Sequence, residues 1–339
     1  MSADPLVVID ADVLGRLRTG DESYVRNLLR CFGEIGETGL RLAAVTRHPE
    51  LVPTGVEALP LETRVQELRM AWALPRLLRR CGAALVHTQY ALPLRVSCPV
   101  VVTIHDLSFE RDAALMGRKD RFVFRRVVPL AARKAARVLT VSERSKRDLV
   151  ELYGIAPERI VVTSNGVDPI FRPGPGSHDY VLAVGAVQAR KNQLAALDAA
   201  RAVGLPLVVA GPEKEPALAA ELRRRGARVE GYVSHDRLAE LYRGAACLVQ
   251  ASLYEGFGLP AVEAMASGTP VVVVPDPALL ELVGDAAVVV AADRLADGIS
   301  RARADRDRLA AAGLERAREF SWEAAARTTL AVYREVLGL

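Results

Sequence analysis

The chain has 339 residues, of which 50% are hydrophobic and 25% charged, and its formal net charge is +4. This length is ample for two domains, and the composition excludes disorder as the main state. No uncharged apolar run approaches the roughly 20 residues of a membrane span, and the N-terminus lacks the basic and apolar segments of a signal peptide. We therefore expect a cytoplasmic protein.

The positive charge is concentrated between residues 111 and 147, where twelve Lys and Arg face three Asp and Glu. Such a stretch suits an anionic partner (a nucleotide, a lipid diphosphate or the inner membrane face), but it is equally typical of a solvated helix face. No nucleic-acid-binding motif accompanies it, so no nucleic acid is expected as a partner. The four cysteines lack CxxC spacing, which predicts reduced, buried thiols rather than a zinc or redox site.

Short runs rich in Val and Ile alternate with stretches of helical spacing along the chain. Runs that are apolar throughout are typical of strands in a parallel sheet covered on both faces. The predicted strands of the first half are residues 6–10, 42–46, 84–88, 100–105, 138–141 and 160–163. Those of the second half are residues 180–184, 207–210, 228–233, 246–250, 270–274 and 287–290. The repeated alternation predicts an α/β protein with two Rossmann-like, doubly wound parallel sheets.

A turn cluster at residues 165–169 and a Pro/Gly-rich linker at residues 172–177 mark the domain boundary. They divide the chain into an N-terminal domain of residues 1–170 and a C-terminal domain of residues 171–320. A last helix is predicted to start at Ser321, a favourable N-cap residue. Ligands of doubly wound sheets bind beyond the carboxyl ends of the strands. Two such domains are expected to face a common interdomain cleft.

The most informative stretch is residues 254–270, YEGFGLPAVEAMASGTP. Two glycines bracket one aromatic residue after a predicted strand, Pro260 suits the first position of a helix, and Gly268 suits its end. The pattern predicts a helix of about two turns. Free N–H groups and the helix dipole at its N-terminus favour an anion such as a diphosphate.

Two glutamates, Glu255 and Glu263, are separated by seven residues within this stretch. A carboxylate at position 255 can reach a sugar, and one at position 263 can accept hydrogen bonds from ribose hydroxyls. For an isolated Glu263, stabilisation of the helix dipole would be the simpler interpretation.

The E-x7-E spacing with its G-F-G-L-P core resembles the signature of the GT-B retaining glycosyltransferases of family four. The resemblance extends to VLTVSERSK at residues 138–146, to IVVTSNGVDPIFRP at residues 160–173 and to the FSW string at residues 320–322. It implies a donor domain at the C-terminal side, an acceptor domain at the N-terminal side, and a final helix, residues 321–339, that packs back onto the acceptor domain.

In the donor domain, the resemblance implies that Glu255 contacts the donor sugar and that Glu263 holds the ribose. Arg190 and Lys191 would neutralise the diphosphate and the departing nucleotide. The remaining implied donor-binding residues are Gly185, Val233, Gly256, Phe257, Gly258 and Leu259. Ala186 stands where some relatives carry an arginine, which places more of the phosphate binding on Arg190 and Lys191.

In the acceptor domain, the resemblance makes His105, at a strand end, a contact of the donor sugar or its reacting carbon. Gly20 and Asp21, in the stretch Arg18 to Ser23 after the first strand, would form a loop at the acceptor or diphosphate. Asp21 and Glu22 place negative charge where many relatives have small residues. That charge favours a neutral or cationic acceptor group there.

The function implied is retaining transfer of a hexose from a nucleotide sugar to a saccharide, lipid-linked or small-molecule acceptor, with GDP-mannose slightly favoured as donor. Front-face attack needs no enzyme nucleophile, and neither metal nor cofactor is expected. The two D-x-D strings, at residues 10–12 and 305–307, are interpreted as structural. A non-catalytic nucleotide-sugar-binding partner protein and a sugar-nucleotide epimerase of the same architecture remain alternatives.

Overall fold

The computed structural model describes residues 4–16, 20–36, 38–111 and 117–339. The chain forms two compact units, of which unit 1 comprises Met1–Gly166 with Trp322–Leu339 and unit 2 comprises Val167–Ser321. The division after residue 166 lies four residues before the predicted boundary at 170.

Unit 1 is built on a seven-stranded parallel sheet. Its strands are β1 Leu6–Asp10, β2 Arg41–Thr46, β3 Glu57–Pro60, β4 Leu85–Gln89, β5 Val100–Thr103, β6 Arg137–Thr140 and β7 Ile160–Val162. They lie in the order β3-β2-β1-β4-β5-β6-β7. The carboxyl ends of all seven therefore share one edge of the sheet.

Helices cover the sheet of unit 1. They are α1 Gly20–Ile35, α2 Gln66–Leu68, α3 Leu74–Cys81, α4 Ser108–Arg111, α5 Arg118–Lys134, α6 Glu143–Tyr153 and α14 Trp322–Leu337. A π-helical turn, Arg69–Ala73, joins α2 to α3. The final helix, α14, packs against α1 and β6, so the last segment of the chain belongs to unit 1.

Unit 2 repeats the plan with a six-stranded parallel sheet in the order β10-β9-β8-β11-β12-β13. Its strands are β8 Tyr180–Val184, β9 Leu207–Ala210, β10 Arg228–Gly231, β11 Ala245–Gln250, β12 Val271–Val273 and β13 Val288–Val289. Its helices are α7 Gln193–Ala202, α8 Pro216–Arg224, α9 His235–Gly244, α10 Leu259–Ala266, α11 Pro277–Val283, α12 Leu295–Ala304 and α13 Arg306–Ala317.

Each sheet has one point where the strand order reverses. In unit 1 this point lies between β1 and β4, and in unit 2 between β8 and β11. Connections on the two sides of such a point run to opposite faces of the sheet, which opens a crevice at the carboxyl ends. The residues that follow β4, β8 and β11 are therefore placed to form ligand sites.

All twelve predicted strands are present, and the structure adds one strand that was not predicted, β3. Within the described ranges this strand pairs with β2 alone, at the edge of the sheet, and Glu57 and Pro60 at its ends are exposed. An edge strand is covered on fewer sides and needs no continuous apolar run. The prediction of buried thiols is right for Cys31 and Cys247, whereas Cys81 and Cys98 are only half-buried.

Much of the basic stretch at residues 111–147 is engaged within unit 1. Arg111 pairs with Asp148 and Glu151 across α4 and α6, and the Arg125 guanidinium lies 2.8 Å from Glu110. Arg126 on α5 stays exposed. Across the ranges that the structure describes, no helix combines the length and the apolar character that crossing a bilayer requires.

Candidate active site

The loop after β8 carries two of the predicted cationic residues. Arg190 and Lys191 lie in a 3-10 turn, Ala189–Lys191, which ends at Asn192 in the left-handed conformation and leads into α7. Gly185 opens the loop with a φ of +134°, and a Cβ at nearby Gly211 would lie 2.1 Å from the Gly185 carbonyl oxygen. The glycines allow the ends of β8 and β9 to approach closely.

Lys191 and Arg190 converge on the carboxylate of Glu255, in the loop after β11. The Lys191 Nζ atom lies 2.6 Å from Glu255 Oε1, and an Arg190 terminal nitrogen lies 3.8 Å from Glu255 Oε2. Arg190 also donates a 2.7 Å hydrogen bond to the carbonyl of Tyr254, which fixes its side chain beside the loop. Three residues that the sequence singled out therefore form one ion cluster in unit 2.

The Glu255 side chain is buried, with 6% relative exposure. Burial by itself raises the pKa of Glu255, but the charges of Lys191 and Arg190 and hydrogen bonds from Lys191 and Ser252 lower it to about 2. The carboxyl group is therefore ionised at neutral pH, and it cannot act there as a general acid. Two cations, Lys191 and Arg190, therefore face this carboxylate at the edge of the sheet.

Two further residues hold Glu255 in place, and neither was predicted from the sequence. Gln250, the last residue of β11, donates from Nε2 to Glu255 Oε1 over 2.9 Å. The Asp276 carboxylate accepts from the Glu255 backbone N–H over 3.3 Å and caps α11 by accepting from Ala278 and Leu279. The glutamate is thus fixed at its backbone and at its carboxylate.

The short helix α10 follows the loop, as predicted, and spans about two turns. It starts at Leu259, so Pro260 occupies the second helical position rather than the predicted first. Gly258 before it has a φ of +108°, and a Cβ there would lie 2.7 Å from the Leu279 side chain. The Phe257 ring is buried and packs edge-on against Phe320 at 5.6 Å. Phe257 therefore contributes its ring to packing, whereas its backbone lies in the loop before α10.

Glu263 is half-buried on α10. Its Oε2 atom accepts a 2.7 Å hydrogen bond from the hydroxyl of Tyr242 on α9. Burial and the nearby Glu263 carboxylate raise the pKa of Tyr242 well above its ordinary value, so the hydroxyl remains a donor. Val233 is half-buried immediately before Ser234, whose side chain caps α9.

In unit 1, His105 follows β5, and two tyrosine rings pack against it. Its Nε2 atom is 2.8 Å from Gln89 Oε1 at the end of β4, so Nε2 carries the proton. The Tyr24 ring meets the imidazole edge-on at 4.8 Å, and the Tyr90 ring lies 5.6 Å away. Burial lowers the pKa of His105, while Asp21 and Asp106 oppose that shift. The imidazole is neutral at neutral pH.

The predicted loop at Gly20 and Asp21 is the first turn of α1, which corrects that assignment. Arg18 and Thr19 lie outside the described residues. Acidic side chains in a first helical turn are stabilised by the helix dipole, which accounts for the early start. Asp21 lies close enough to act on His105. Glu22 instead turns inward, and its carboxylate accepts a 2.9 Å hydrogen bond from the Gly15 N–H in the loop after β1.

A second layer of buried polar groups lies behind His105. The His87 ring bonds to Tyr333 of α14 at 2.5 Å and to Thr103 at 2.7 Å, and Thr103 bonds to Tyr24 at 3.0 Å. Burial lowers the pKa of His87 to about 3. This neutral network ties the last helix to Thr103, the final residue of β5, two residues before His105.

The carboxylates of the first D-x-D string are bound by arginines. The buried Arg69 guanidinium makes two 2.6 Å hydrogen bonds to Asp10, and Arg47 makes one of 2.9 Å to Asp12. Asp305 of the second string pairs with Arg308 at 2.9 Å. Over the described ranges, no group of three or more His, Cys, Asp or Glu is arranged to hold a metal ion.

Each half of the chain matches a family model of known proteins. Residues 172–320 match the family model described as glycosyl transferases group 1, and residues 21–171 match that of glycosyltransferase family 4. The chain is 30% identical to the O-antigen chain mannosyltransferase B of Escherichia coli, over 87% of this chain and 83% of that protein.

It is also 33% identical to the MMP alpha-(1->4)-mannosyltransferase of Mycolicibacterium hassiacum, over 85% of this chain and 78% of that one. Among solved structures, a sucrose-phosphate synthase from Thermosynechococcus elongatus shares the fold. Its TM-score is 0.82 at 20% sequence identity, with 98% of this chain and 99% of that chain covered.

Proposed function

This chain belongs to the glycosyltransferases of group 1 and family 4, which have the GT-B fold, and from that premise we propose a specific reaction. The enzyme transfers a hexose, with retention of anomeric configuration and without a metal ion, from a nucleotide sugar to a saccharide or lipid-linked acceptor. The observation that carries the proposal is the ion cluster of half-buried Arg190 and Lys191 with buried Glu255 at the carboxyl edge of the unit 2 sheet.

The donor diphosphate is proposed to bind at this cluster. The side chains of Arg190 and Lys191 are cations suited to an anion, and the N–H groups at the start of α10 add to this attraction. As the nucleotide departs, charge grows on its phosphate, and fixed cations stabilise that charge more strongly than water does. Glu263 and Val233 are proposed to hold the ribose and the base.

Retention is proposed to occur by front-face attack, with a leaving phosphate oxygen as the base. Glu255 is a poor candidate for a covalent nucleophile, because its carboxylate is already bound by Lys191 and Gln250 and its pKa is lowered to about 2. A weakly basic, fully engaged carboxylate is better suited to positioning the two cations. In unit 1, the neutral imidazole of His105 is proposed to contact the donor sugar.

Mannose is the favoured hexose and GDP-mannose the favoured donor. The two relatives described above carry mannosyltransferase names, which supports this choice. One of them acts, by its name, on an O-antigen chain, which is consistent with a growing saccharide or lipid-linked acceptor for this chain.

The first test is thermal unfolding of the purified chain with GDP, UDP, ADP and their sugars, each with and without EDTA. A ligand that binds only the folded state raises the melting temperature by mass action. We expect a shift with one nucleotide class that EDTA does not change and that Lys191→Ala abolishes. Arg201→Ala, which removes an exposed cation at the end of α7, is the matched control and should keep the shift.

The second test is transfer itself, followed by NMR of the anomeric proton in the product. An α-linked product from an α-linked donor supports retention, whereas an inverted product contradicts it. Conversion of the nucleotide sugar without an acceptor would favour the epimerase alternative. Nucleotide binding without any turnover over an acceptor panel would favour the non-catalytic partner protein.

A further inference from the structure

Two side-chain hydrogen bonds cross between β4 and β5 at the carboxyl edge of the unit 1 sheet. His87 Nε2 lies 2.7 Å from Thr103 Oγ1. Two residues further along each strand, Gln89 Oε1 lies 2.8 Å from His105 Nε2. The Ile104 N–H still pairs with β6 over 2.9 Å, so the strand geometry extends past Thr103. Residues two apart on a strand project from the same face of a sheet, so both hydrogen bonds lie on one face.

Tyr24 of α1 contacts both of these hydrogen-bonded pairs. Its hydroxyl oxygen lies 3.0 Å from Thr103 Oγ1, and its ring meets the His105 imidazole edge-on at 4.8 Å. The whole Tyr24 side chain is buried. A rotation of the imidazole would break its bond to Gln89, and a displacement towards α1 is blocked by the Tyr24 ring. The orientation of His105 therefore depends on where Tyr24 is held.

The hydrogen bonds continue from β4 to the last helix. The Tyr333 hydroxyl of α14 lies 2.5 Å from His87 Nδ1, and the two rings meet edge-on at 5.6 Å. Both side chains are buried. One continuous row of hydrogen bonds, which we call the four-residue network, thus joins Tyr333, His87, Thr103 and Tyr24. The network runs from α14 to the ring that packs against His105.

The direction of the hydrogen bonds in this network can be assigned. Burial lowers the pKa of His87 to about 3, so its neutral ring offers one N–H and one lone pair. Among the described residues, the Tyr333 hydroxyl has His87 Nδ1 as its one hydrogen-bond partner. A proton on Nδ1 would leave the buried Tyr333 hydroxyl hydrogen without an acceptor, which is unfavourable. Tyr333 therefore donates to Nδ1, and the Nε2–H of His87 donates to Thr103.

The same reasoning extends the direction to Tyr24. Thr103 accepts from His87, and within the ranges that the structure describes its side chain has the Tyr24 hydroxyl as its remaining partner, so Thr103 donates to Tyr24. Tyr24 is also hydrogen-bonded to the side chains of Thr163 and Thr329. Both of these threonines donate their own hydrogens to backbone carbonyls, so each can accept from Tyr24. One orientation of the hydroxyls and the imidazole therefore satisfies every member of the network.

We propose that the four-residue network positions His105 for the donor sugar. Tyr24 is the positioning residue that touches the imidazole, and Tyr333 sets the direction of the hydrogen bonds that hold Tyr24. A group that is already oriented needs no reorganisation at the moment of reaction, and a small misplacement at the reacting centre lowers the rate steeply. The last helix thus supplies one hydroxyl to the organisation of the site. The inference deepens the proposed function, on which it rests for the contact between His105 and the sugar.

The first test is nitrogen NMR of the full chain with labelled histidine, recorded without donor or acceptor. His87→Gln and His105→Gln assign the two rings by the loss of their signals. In the parent, we expect both rings as the Nε2–H tautomer. In Tyr333→Phe, the signals of His105 should move towards a mixture of the two tautomers. An Nδ1–H tautomer of His87 in the parent, or a His105 spectrum that Tyr333→Phe leaves unchanged, would overturn the proposal.

The second test is steady-state transfer with the donor that the nucleotide panel identifies. Tyr24→Phe keeps the ring and removes the hydroxyl, and it should lower kcat about tenfold while KM changes less than about twofold. Tyr333→Phe should also lower kcat. The double variant should lose no more than the larger single loss, because both substitutions interrupt the same network. Tyr153→Phe is the matched control, because the buried Tyr153 donates to Glu110 over 3.1 Å, and its kcat should equal that of the parent.

Substitutions at Thr103 separate the hydrogen bond from packing, and circular dichroism checks that each variant is folded. Thr103→Val keeps the shape and removes the hydroxyl, so it should lower kcat as Tyr24→Phe does. Thr103→Ser keeps the hydroxyl and should retain kcat to within about twofold of the parent. Additive losses in the double variant, or a Thr103→Val variant with the kcat of the parent, would overturn the proposal. If the parent transfers no sugar, the proposed reaction fails, whereas the NMR spectra still decide the role of the network.

Discussion

The substitution Glu255→Gln tests the ion cluster quantitatively. An amide of the same shape resembles the protonated carboxyl, so the variant removes the charge and keeps the packing. A pKa lowered from 4.5 to about 2 corresponds, at about 1.4 kcal/mol per pKa unit, to about 3 kcal/mol of stability at pH 7. We expect the variant to lose about this much from unit 2 at neutral pH.

The dependence on pH has a definite sign. Because the pKa of Glu255 is lower in the folded state, its stabilisation is complete above the unfolded value of 4.5 and is lost as the pH falls through about 2. The difference in unfolding free energy between the parent and the variant should therefore shrink to about 1 kcal/mol at pH 3.

Hydrogen exchange of the amides in β11, measured from pH 7 to pH 3, reports this difference for unit 2 alone. Asp198→Asn is the matched control, because Asp198 is 57% exposed and pairs with Arg225 at the surface, where ion pairs contribute little. A difference between the parent and Glu255→Gln that stays constant over this pH range would refute the assignment of a strongly stabilised carboxylate.

Three further predictions follow from single contacts. Gln89→Leu should lower kcat more than it raises KM, because the His105 ring loses the acceptor that fixes its proton. Gln89→Glu should raise the pKa of His105 and so shift the pH–rate profile. An unchanged pH–rate profile in Gln89→Glu would contradict this role. Gly211→Ala should cost about 2–3 kcal/mol in chemical unfolding, since its Cβ would lie 2.1 Å from the Gly185 carbonyl oxygen. Glu263→Gln should weaken nucleotide binding in calorimetry while the melting temperature without ligand changes little, because the amide still accepts from its tyrosine partner; equal affinity would refute the ribose contact.

The strands and the residues of the ion cluster were identified from the sequence on different grounds. Strands covered on both faces must be apolar throughout, so β1 and β8 are visible in the sequence as continuous runs with the observed bounds. Glu255 was singled out in a loop whose glycines and proline constrain the backbone, whereas Arg190 and Lys191 were named through the family resemblance. The ion pairs that join these three residues were not predicted. Edge strand β3 was not predicted, because its exposed residues need not be apolar.

The partners of the site residues could not be predicted from the sequence. Gln89 and Gln250 are ordinary polar residues at strand ends, and only the parallel pairing of distant strands brings them to His105 and Glu255. The start of α1 was misplaced because Gly20 is typical of a loop. At a helix end, however, glycine is tolerated, and the acidic residue that follows it is favoured in the first turn.

The division of unit 1 into two chain segments has a consequence for biosynthesis. Residues 322–339 leave the ribosome after all of unit 2, yet they supply α14 and the Tyr333 hydroxyl that binds His87. Unit 2 is a single continuous segment and can acquire its native contacts while unit 1 still lacks its last helix. N-terminal domains usually fold first during synthesis. Here unit 1 can complete its fold only after the whole of unit 2 has been synthesised. His105 gains its full supporting network only once translation of the final helix is complete.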